Sequence, residues 1–122
     1  MTKNLVISTA VFAAMTAAPA LAQDISVKLG VLNDRSGVYA DLSGEGSVVA
    51  ARMAVEDFKA AENGMNVEII SADHQNKPDI GSNITRQWYD VDGVNAILDV
   101  PTSSVALAVA DITAENNGVF LI

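Results

Sequence analysis

A turn rich in serine and threonine is the part of this sequence best suited to chemistry. Thr102, Ser103 and Ser104 follow Pro101, directly after an apolar segment and at the start of a predicted helix. Their hydroxyls and the free N–H groups of the first helical turn would point to the same spot, beside the positive end of the helix dipole, which suits an anion and most simply a carboxylate. The same hydroxyls could instead only cap the helix. Position alone does not separate these two interpretations.

Catalytic and cofactor sites have less support. His74 is the single histidine, and because a general base or metal ligand needs partners, we interpret it as a polar loop residue. Asp34 and Asp41 could be paired carboxylates for acid–base chemistry, but local hydrogen bonding in a Gly-rich loop is the simpler role. Gly44 and Gly46 lack the third glycine of a dinucleotide fingerprint, and their loop is too long for its tight turn. We therefore expect no metal, nucleotide or other cofactor.

The composition excludes several classes of protein. The chain has 122 residues, of which 50% are apolar and none is cysteine, and 15 acidic side chains against 7 basic ones give a net charge of −8. This length allows one modest domain, and the absence of cysteine excludes disulfide scaffolds, cysteine-based zinc sites and thiol catalysis. The acidic balance argues against nucleic-acid binding, because phosphate contacts need lysine and arginine.

Residues 1–22 are predicted to be a cleavable export signal. Lys3 provides a short positive region, residues 5–18 are mostly apolar, and the pattern Ala20-Leu21-Ala22 fits a cleavage site that would leave Gln23 as the new N-terminus. A membrane anchor is the alternative, but the apolar run is shorter than the roughly 20 residues that a spanning helix needs.

The mature chain, residues 23–122, is predicted to alternate strands and helices. The predicted strands are 25–32, 65–71, 94–100 and 119–122, and the predicted helices are 47–62, 78–92 and 104–116. Repeating β-α units of about thirty residues require right-handed crossovers and a parallel sheet. The sequence therefore predicts an α/β fold with a doubly wound parallel sheet.

Helical spacing and strand ends also locate the expected core and site. Val48, Ala51, Val55 and Phe58 fall on one face of the first helix, and Trp88 is at core spacing in the second. Open α/β sheets bind ligands at the carboxyl ends of their strands, so loops 33–46, 72–78 and 101–104 are the candidates. The final apolar strand fits either a small flavodoxin-like domain or, as we expect, a fragment of a longer protein.

Three segments resemble one known family. They are VKLGVLNDRSGVYADLSGEGSVVAARMAVEDF, ADHQNKPDIG and DVPTSSVALAVADI. Over residues 26–122 the chain is similar to the N-terminal lobe of periplasmic solute-binding proteins of the branched-chain amino acid (leucine/isoleucine/valine-binding) ABC transporter family. The resemblance implies two α/β lobes that close on a ligand around a hinge, with this chain truncated before the second lobe. It also implies a periplasmic location and non-enzymatic delivery of the ligand to an ABC permease in the inner membrane.

The resemblance also implies which residues bind the ligand. By motif position, Ser103 matches the serine that receives the ligand carboxylate, Thr102 and Ser104 flank it, and Tyr39 and Leu42 lie in the loop that walls the ligand side chain. The sequence around Thr102 is similar to that of proteins that bind amino-acid-like or aromatic carboxylates. A ligand-sensing receptor domain of the same fold is the alternative function. An exported α/β enzyme is disfavoured, because the G-x-S-x-G motif and a histidine constellation are missing.

Overall fold

The computed structural model describes residues 25–122, which form a four-stranded parallel sheet in the order β2-β1-β3-β4. The strands are β1 (Ile25–Asn33), β2 (Met65–Asp73), β3 (Ala96–Leu98) and β4 (Val119–Leu121), and the helices are α1 (Gly44–Phe58), α2 (Pro78–Gln87) and α3 (Ser103–Glu115). A π-helical turn, Trp88–Asp92, continues α2. The predicted α/β fold with a parallel sheet is confirmed, whereas the predicted signal segment lies outside the described residues.

Strand β1 occupies the centre of the sheet and carries the chain to its carboxyl edge. It pairs with β2 over nine residues, from Ile25↔Met65 to Asn33↔Asp73, and with β3 over a shorter stretch. The side chains of β1 become steadily more buried along the strand. Such continuous burial is typical of a parallel strand covered on both faces, and it places Asn33 where three loops meet.

The main core lies between the sheet and the α2–α3 side. Its buried members are Leu32, Trp88, Val94, Ile97, Val100, Val105, Ala106 and Val109. Trp88 packs directly over Gly30, where any side chain would collide with the indole ring. The prediction that Trp88 is a core residue is confirmed.

Helix α1 differs most from its prediction. It spans Gly44–Phe58 rather than 47–62, because Lys59 adopts the left-handed conformation (φ 54°) and turns its N–H back to the Glu56 carbonyl. Among its predicted core positions Val48 is fully buried, but Phe58 is 56% exposed, so that part of the prediction is wrong. Phe58 is exposed because it is the last residue of the helix and lines an open apolar groove between α1 and strands β1 and β2.

The remaining boundaries differ by a few residues. The helix predicted at 78–92 changes to π-helical geometry at Trp88, and Gly93 (φ 69°) ends it. Strand β3 spans Ala96–Leu98 rather than the predicted 94–100, and it ends early because Asp99 takes a left-handed conformation (φ 55°) directly after it. Strands β1 and β2 extend to Asn33 and Asp73, β4 ends at Leu121, and α3 begins and ends one residue early. Within residues 25–122, no helix has both the length and the apolar character that crossing a membrane requires.

Candidate functional site

Three loops follow the carboxyl ends of neighbouring strands and therefore meet at one edge of the sheet. They are residues 34–43 after β1, 74–77 after β2 and 99–102 after β3. Because β1 lies between β2 and β3, its loop is adjacent to both of the others. This edge is where open α/β sheets bind their ligands.

The turn into α3 presents hydroxyls that no capping bond occupies. Thr102 takes the N-cap position in an extended conformation, but its side chain makes no capping hydrogen bond. Its Oγ1 is buried and has no partner among the described residues. Ser103 begins α3, and both Ser103 and Ser104 are exposed. The first N–H groups of a helix lack intrahelical acceptors, so the turn combines free donors with unpaired hydroxyls.

The loop after β1 is built around the fully buried carboxylate of Asp34. Its Oδ1 accepts the Gly37 N–H at 2.7 Å, and its Oδ2 accepts the Tyr39 N–H at 2.9 Å. The predicted local hydrogen bonding of Asp34 is thus confirmed. Tyr39 is 39% exposed and Leu42 is 76% exposed, so both side chains are accessible at this edge. Asp41 is also exposed, whereas Asp34 is buried, so the two do not share one environment as an acid–base pair would.

Asp73, at the end of β2, connects the loop after β1 to the loop after β2. Its carboxylate accepts the Arg35 N–H at 3.0 Å, the Ser36 hydroxyl at 2.6 Å and the Gln75 N–H at 2.8 Å. Burial raises the pKa of Asp73, but these hydrogen bonds to the charged form outweigh it and leave the pKa below its ordinary value. The Arg35 guanidinium also pairs with Glu45, so the loop is tied to β2 and to α1.

His74 is buried at this edge of the sheet. The sequence indicates a polar loop residue but not its burial. The exposure of His74 is 0%. Its Nδ1 accepts the Asn76 N–H at 3.0 Å, which leaves the proton of the neutral ring on Nε2, a buried donor without a partner in the described chain. Burial lowers the pKa of His74, and the Asp34, Asp73 and Asp99 carboxylates oppose that effect only in part. The sequence did contain a signal for this burial, because His74 follows Ile70 and Ala72 at every second position and so continues the face of β2 that packs on the core.

Asn33 is a second residue that the sequence analysis missed. It is fully buried. Its Nδ2 donates to the Gly44 carbonyl at 2.7 Å and to Asp99 Oδ2 at 3.1 Å, and its own carbonyl accepts the His74 N–H at 3.0 Å. One residue at the end of the central strand therefore joins all three loops.

The accessible polar groups of this edge are suited to hydrogen bonding. Residues 25–122 hold no group of three or more histidine, aspartate or glutamate side chains placed for a metal ion. The accessible groups are the Ser103 and Ser104 hydroxyls, the start of α3, and the side chains of Tyr39 and Leu42. The hydroxyls and the start of α3 can donate hydrogen bonds to a carboxylate, and Tyr39 and Leu42 can cover an apolar or aromatic group. Ser103 lines an open groove with Pro101, Leu107 and Ile122, whereas Tyr39 and Leu42 lie in the loop after β1 and do not line that groove.

Comparison with known proteins agrees with this description. The Periplasmic binding protein family matches residues 26–122. A branched-chain amino acid ABC transporter periplasmic ligand-binding protein from Burkholderia xenovorans is 45% identical, with a TM-score of 0.74 over 79% of this chain and 26% of that chain. A periplasmic binding protein from Burkholderia mallei is 41% identical, with a TM-score of 0.73 over 78% of this chain and 25% of that chain.

A more distant structure shares the fold. A solute-binding protein of an ABC transporter from Rhodopseudomonas palustris, solved with benzoate, is 22% identical, with a TM-score of 0.70 over 79% of this chain and 27% of that chain. The chain thus spans about a quarter of the length of each of these proteins. No curated protein matches it.

Proposed function

Because the chain belongs to the periplasmic binding protein family, we propose that it is the N-terminal lobe of the extracytoplasmic substrate-binding component of an ABC transporter. Its ligand is a branched-chain amino acid or a related small carboxylate, including aromatic acids. The second lobe would form the other wall of the site, and residues 1–22 would direct export to the periplasm. The protein acts by binding and not by catalysis, and it hands its ligand to an ABC permease in the inner membrane.

The exposed Ser103 at the start of α3 is the observation that carries this proposal, because its hydroxyl lies at the carboxyl edge of the sheet beside the free N–H groups of the first helical turn. The Thr102 side chain makes no capping hydrogen bond, so helix capping does not account for the hydroxyls of this turn. A ligand carboxylate at the start of α3 would accept hydrogen bonds from Ser103 and from the N–H groups of the first turn, and Thr102 and Ser104 would flank it. Hydrogen bonds to a charged acceptor are roughly twice as strong as neutral ones.

The loop held by Asp34 supports the proposal that the ligand carries an apolar or aromatic group beside its carboxylate. Tyr39 and Leu42 are aromatic and apolar, respectively, and both are exposed. Their loop follows β1, so it lies at the same edge of the sheet as the α3 turn. They would wall the side chain or ring of the ligand, while the turn receives its carboxylate. An amino acid and an aromatic acid share that carboxylate, so both belong to the ligand class.

Replacing Ser103 tests the proposal in a two-lobe protein. We define the two-lobe chimera as the Burkholderia xenovorans relative in which residues 25–122 of this chain replace the matching segment. Calorimetric titration with isoleucine, leucine and benzoate identifies its ligand. Ser103→Ala should then weaken binding about ten- to a hundredfold, or about 1.5–3 kcal/mol.

A matched control separates binding from folding. Ser26→Ala removes the same hydroxyl from an exposed position near the start of β1, at the opposite edge of the sheet, and should leave the Kd unchanged. If Ser103→Ala lowers the free energy of unfolding by about 1 kcal/mol and leaves the Kd unchanged, the residue serves only the helix start and the proposed site is wrong.

A further inference from the structure

We propose that Asp99 is a positioning residue for the ligand site, which aims the Thr102–Ser103 turn through the buried side chain of Asn33. The inference rests on the proposed function, because it concerns the same carboxylate site. It assigns a role to a residue that would not itself touch the ligand. Two features of the structure carry it: a strained backbone at Asp99 and a hydrogen bond that holds it.

The backbone of Asp99 is in an unfavourable conformation. Its φ of 55° lies in the left-handed region, which costs free energy in every residue except glycine, although aspartate and asparagine tolerate it best. The position comes directly after β3 and three residues before Thr102, so it sets the direction in which the chain enters the turn. Strain of this kind persists only where the surroundings hold it.

The side chain of Asn33 holds the Asp99 side chain, while the Asp99 N–H donates to the Leu121 carbonyl at 3.1 Å. The Nδ2 of Asn33 donates to Asp99 Oδ2 at 3.1 Å, and the same nitrogen donates to the Gly44 carbonyl at 2.7 Å. Asn33 is fully buried, and β1 pairs with β2 at this residue, so the sheet fixes its position. Asp99 is therefore tied to β1, which is paired with a strand on each side, and, through Gly44, to the start of α1.

This arrangement links the two parts of the ligand site. The Thr102–Ser103 turn follows Asp99, and the loop that carries Tyr39 ends at Gly44. One carboxamide thus sets the separation between the hydroxyls that would receive the carboxylate and the side chains that would wall the rest of the ligand. If the tether is lost, the ligand must order the turn when it binds, and ordering of this kind reduces affinity.

Two substitutions at Asp99 test the tether in the two-lobe chimera. Asp99→Asn keeps an acceptor oxygen for Asn33 and tolerates the left-handed backbone, whereas Asp99→Gly fits that backbone freely but has no acceptor. We expect the asparagine variant to bind within about threefold of the parent, and the glycine variant to bind about tenfold more weakly. The Kd is measured with whichever of isoleucine, leucine or benzoate the parent binds.

The control is Asn117→Gly. Asn117 is also left-handed (φ 51°) but follows the far end of α3, away from the proposed site. Asn117→Gly makes the same kind of backbone change as Asp99→Gly. The Kd of this variant should stay within about twofold of the parent, since no contact with the site is altered. Thermal melts of all variants report folding separately from affinity.

Each outcome decides the question. An unchanged Kd in Asp99→Gly, or an equal loss in Asp99→Asn, would overturn the tether while leaving the proposed function standing, provided that Ser103→Ala still weakens binding. A parent chimera that binds none of the three compounds would overturn the proposed function and this inference together. Loss of folding in Asp99→Gly would also count against the inference, because Asp99 would then support the fold rather than aim the turn.

Discussion

Acid should destabilise this chain through His74, and replacing His74 by asparagine should remove that part of the pH dependence. The imidazole is fully buried, and its Nδ1 accepts the Asn76 N–H at 3.0 Å. Burial disfavours the charged ring and lowers the pKa of His74, even though the Asp34, Asp73 and Asp99 carboxylates act in the opposite direction. The folded chain therefore keeps a neutral histidine at a pH where the unfolded chain has already taken up a proton.

The sign and size of the effect follow from that difference. The unfolded histidine takes up its proton near its ordinary pKa of 6.5. Below that pH the unfolded state binds one more proton, so the free energy of unfolding should fall by about 1.4 kcal/mol per pH unit. The fall continues until the folded ring is protonated. Asp73 acts in a separate, more acidic window, because its lowered pKa stabilises the fold above the ordinary value of 3.8 and that contribution is lost only below it.

Urea denaturation of residues 25–122 measures this slope. Trp88 is the single tryptophan of the sequence and is buried, so its fluorescence reports unfolding. His74→Asn offers a side-chain oxygen to the Asn76 N–H but does not titrate. Between about pH 7.5 and about pH 5, the parent should lose stability faster than the variant. Parallel curves would refute the reasoning, and a parent that gains stability in acid relative to the variant would show that the three carboxylates outweigh burial.

Two further predictions concern the Asp34 loop and the export signal. A Cβ at Gly37 would lie 2.5 Å from Asp34 Oδ2, whereas a Cβ at Gly46 meets nothing within 4 Å. In thermal melts Gly37→Ala should therefore lose about 1–3 kcal/mol and Gly46→Ala should lose nothing, and equal stability of the two variants would contradict this account. N-terminal sequencing of the exported protein should begin at Gln23, and a start at Met1 would contradict the signal-peptide prediction.

The order of the elements could be predicted from the sequence because it depends on local periodicity. Alternating apolar residues in β1 and helical spacing around Trp88 identify their elements without reference to the rest of the chain. The ends of the elements depend on single backbone conformations that composition does not reveal. Lys59 and Asp99 both take left-handed backbones where no glycine marks the turn, and they end α1 and β3 earlier than predicted.

In the candidate site, too, local interactions could be predicted from the sequence and long-range ones could not. The role of Asp34 was predictable, because its partners Gly37 and Tyr39 are three and five residues away and such short bonds are typical of aspartate in loops. The bond between Asn33 and Asp99 spans 66 residues, so it exists only because the sheet places β1 next to β3. A sequence pattern can therefore propose which side chains meet a ligand, while the residues that hold them in place require the strand order. Once β1 is recognised as the central strand, its last polar residue is the position from which all three loops can be reached.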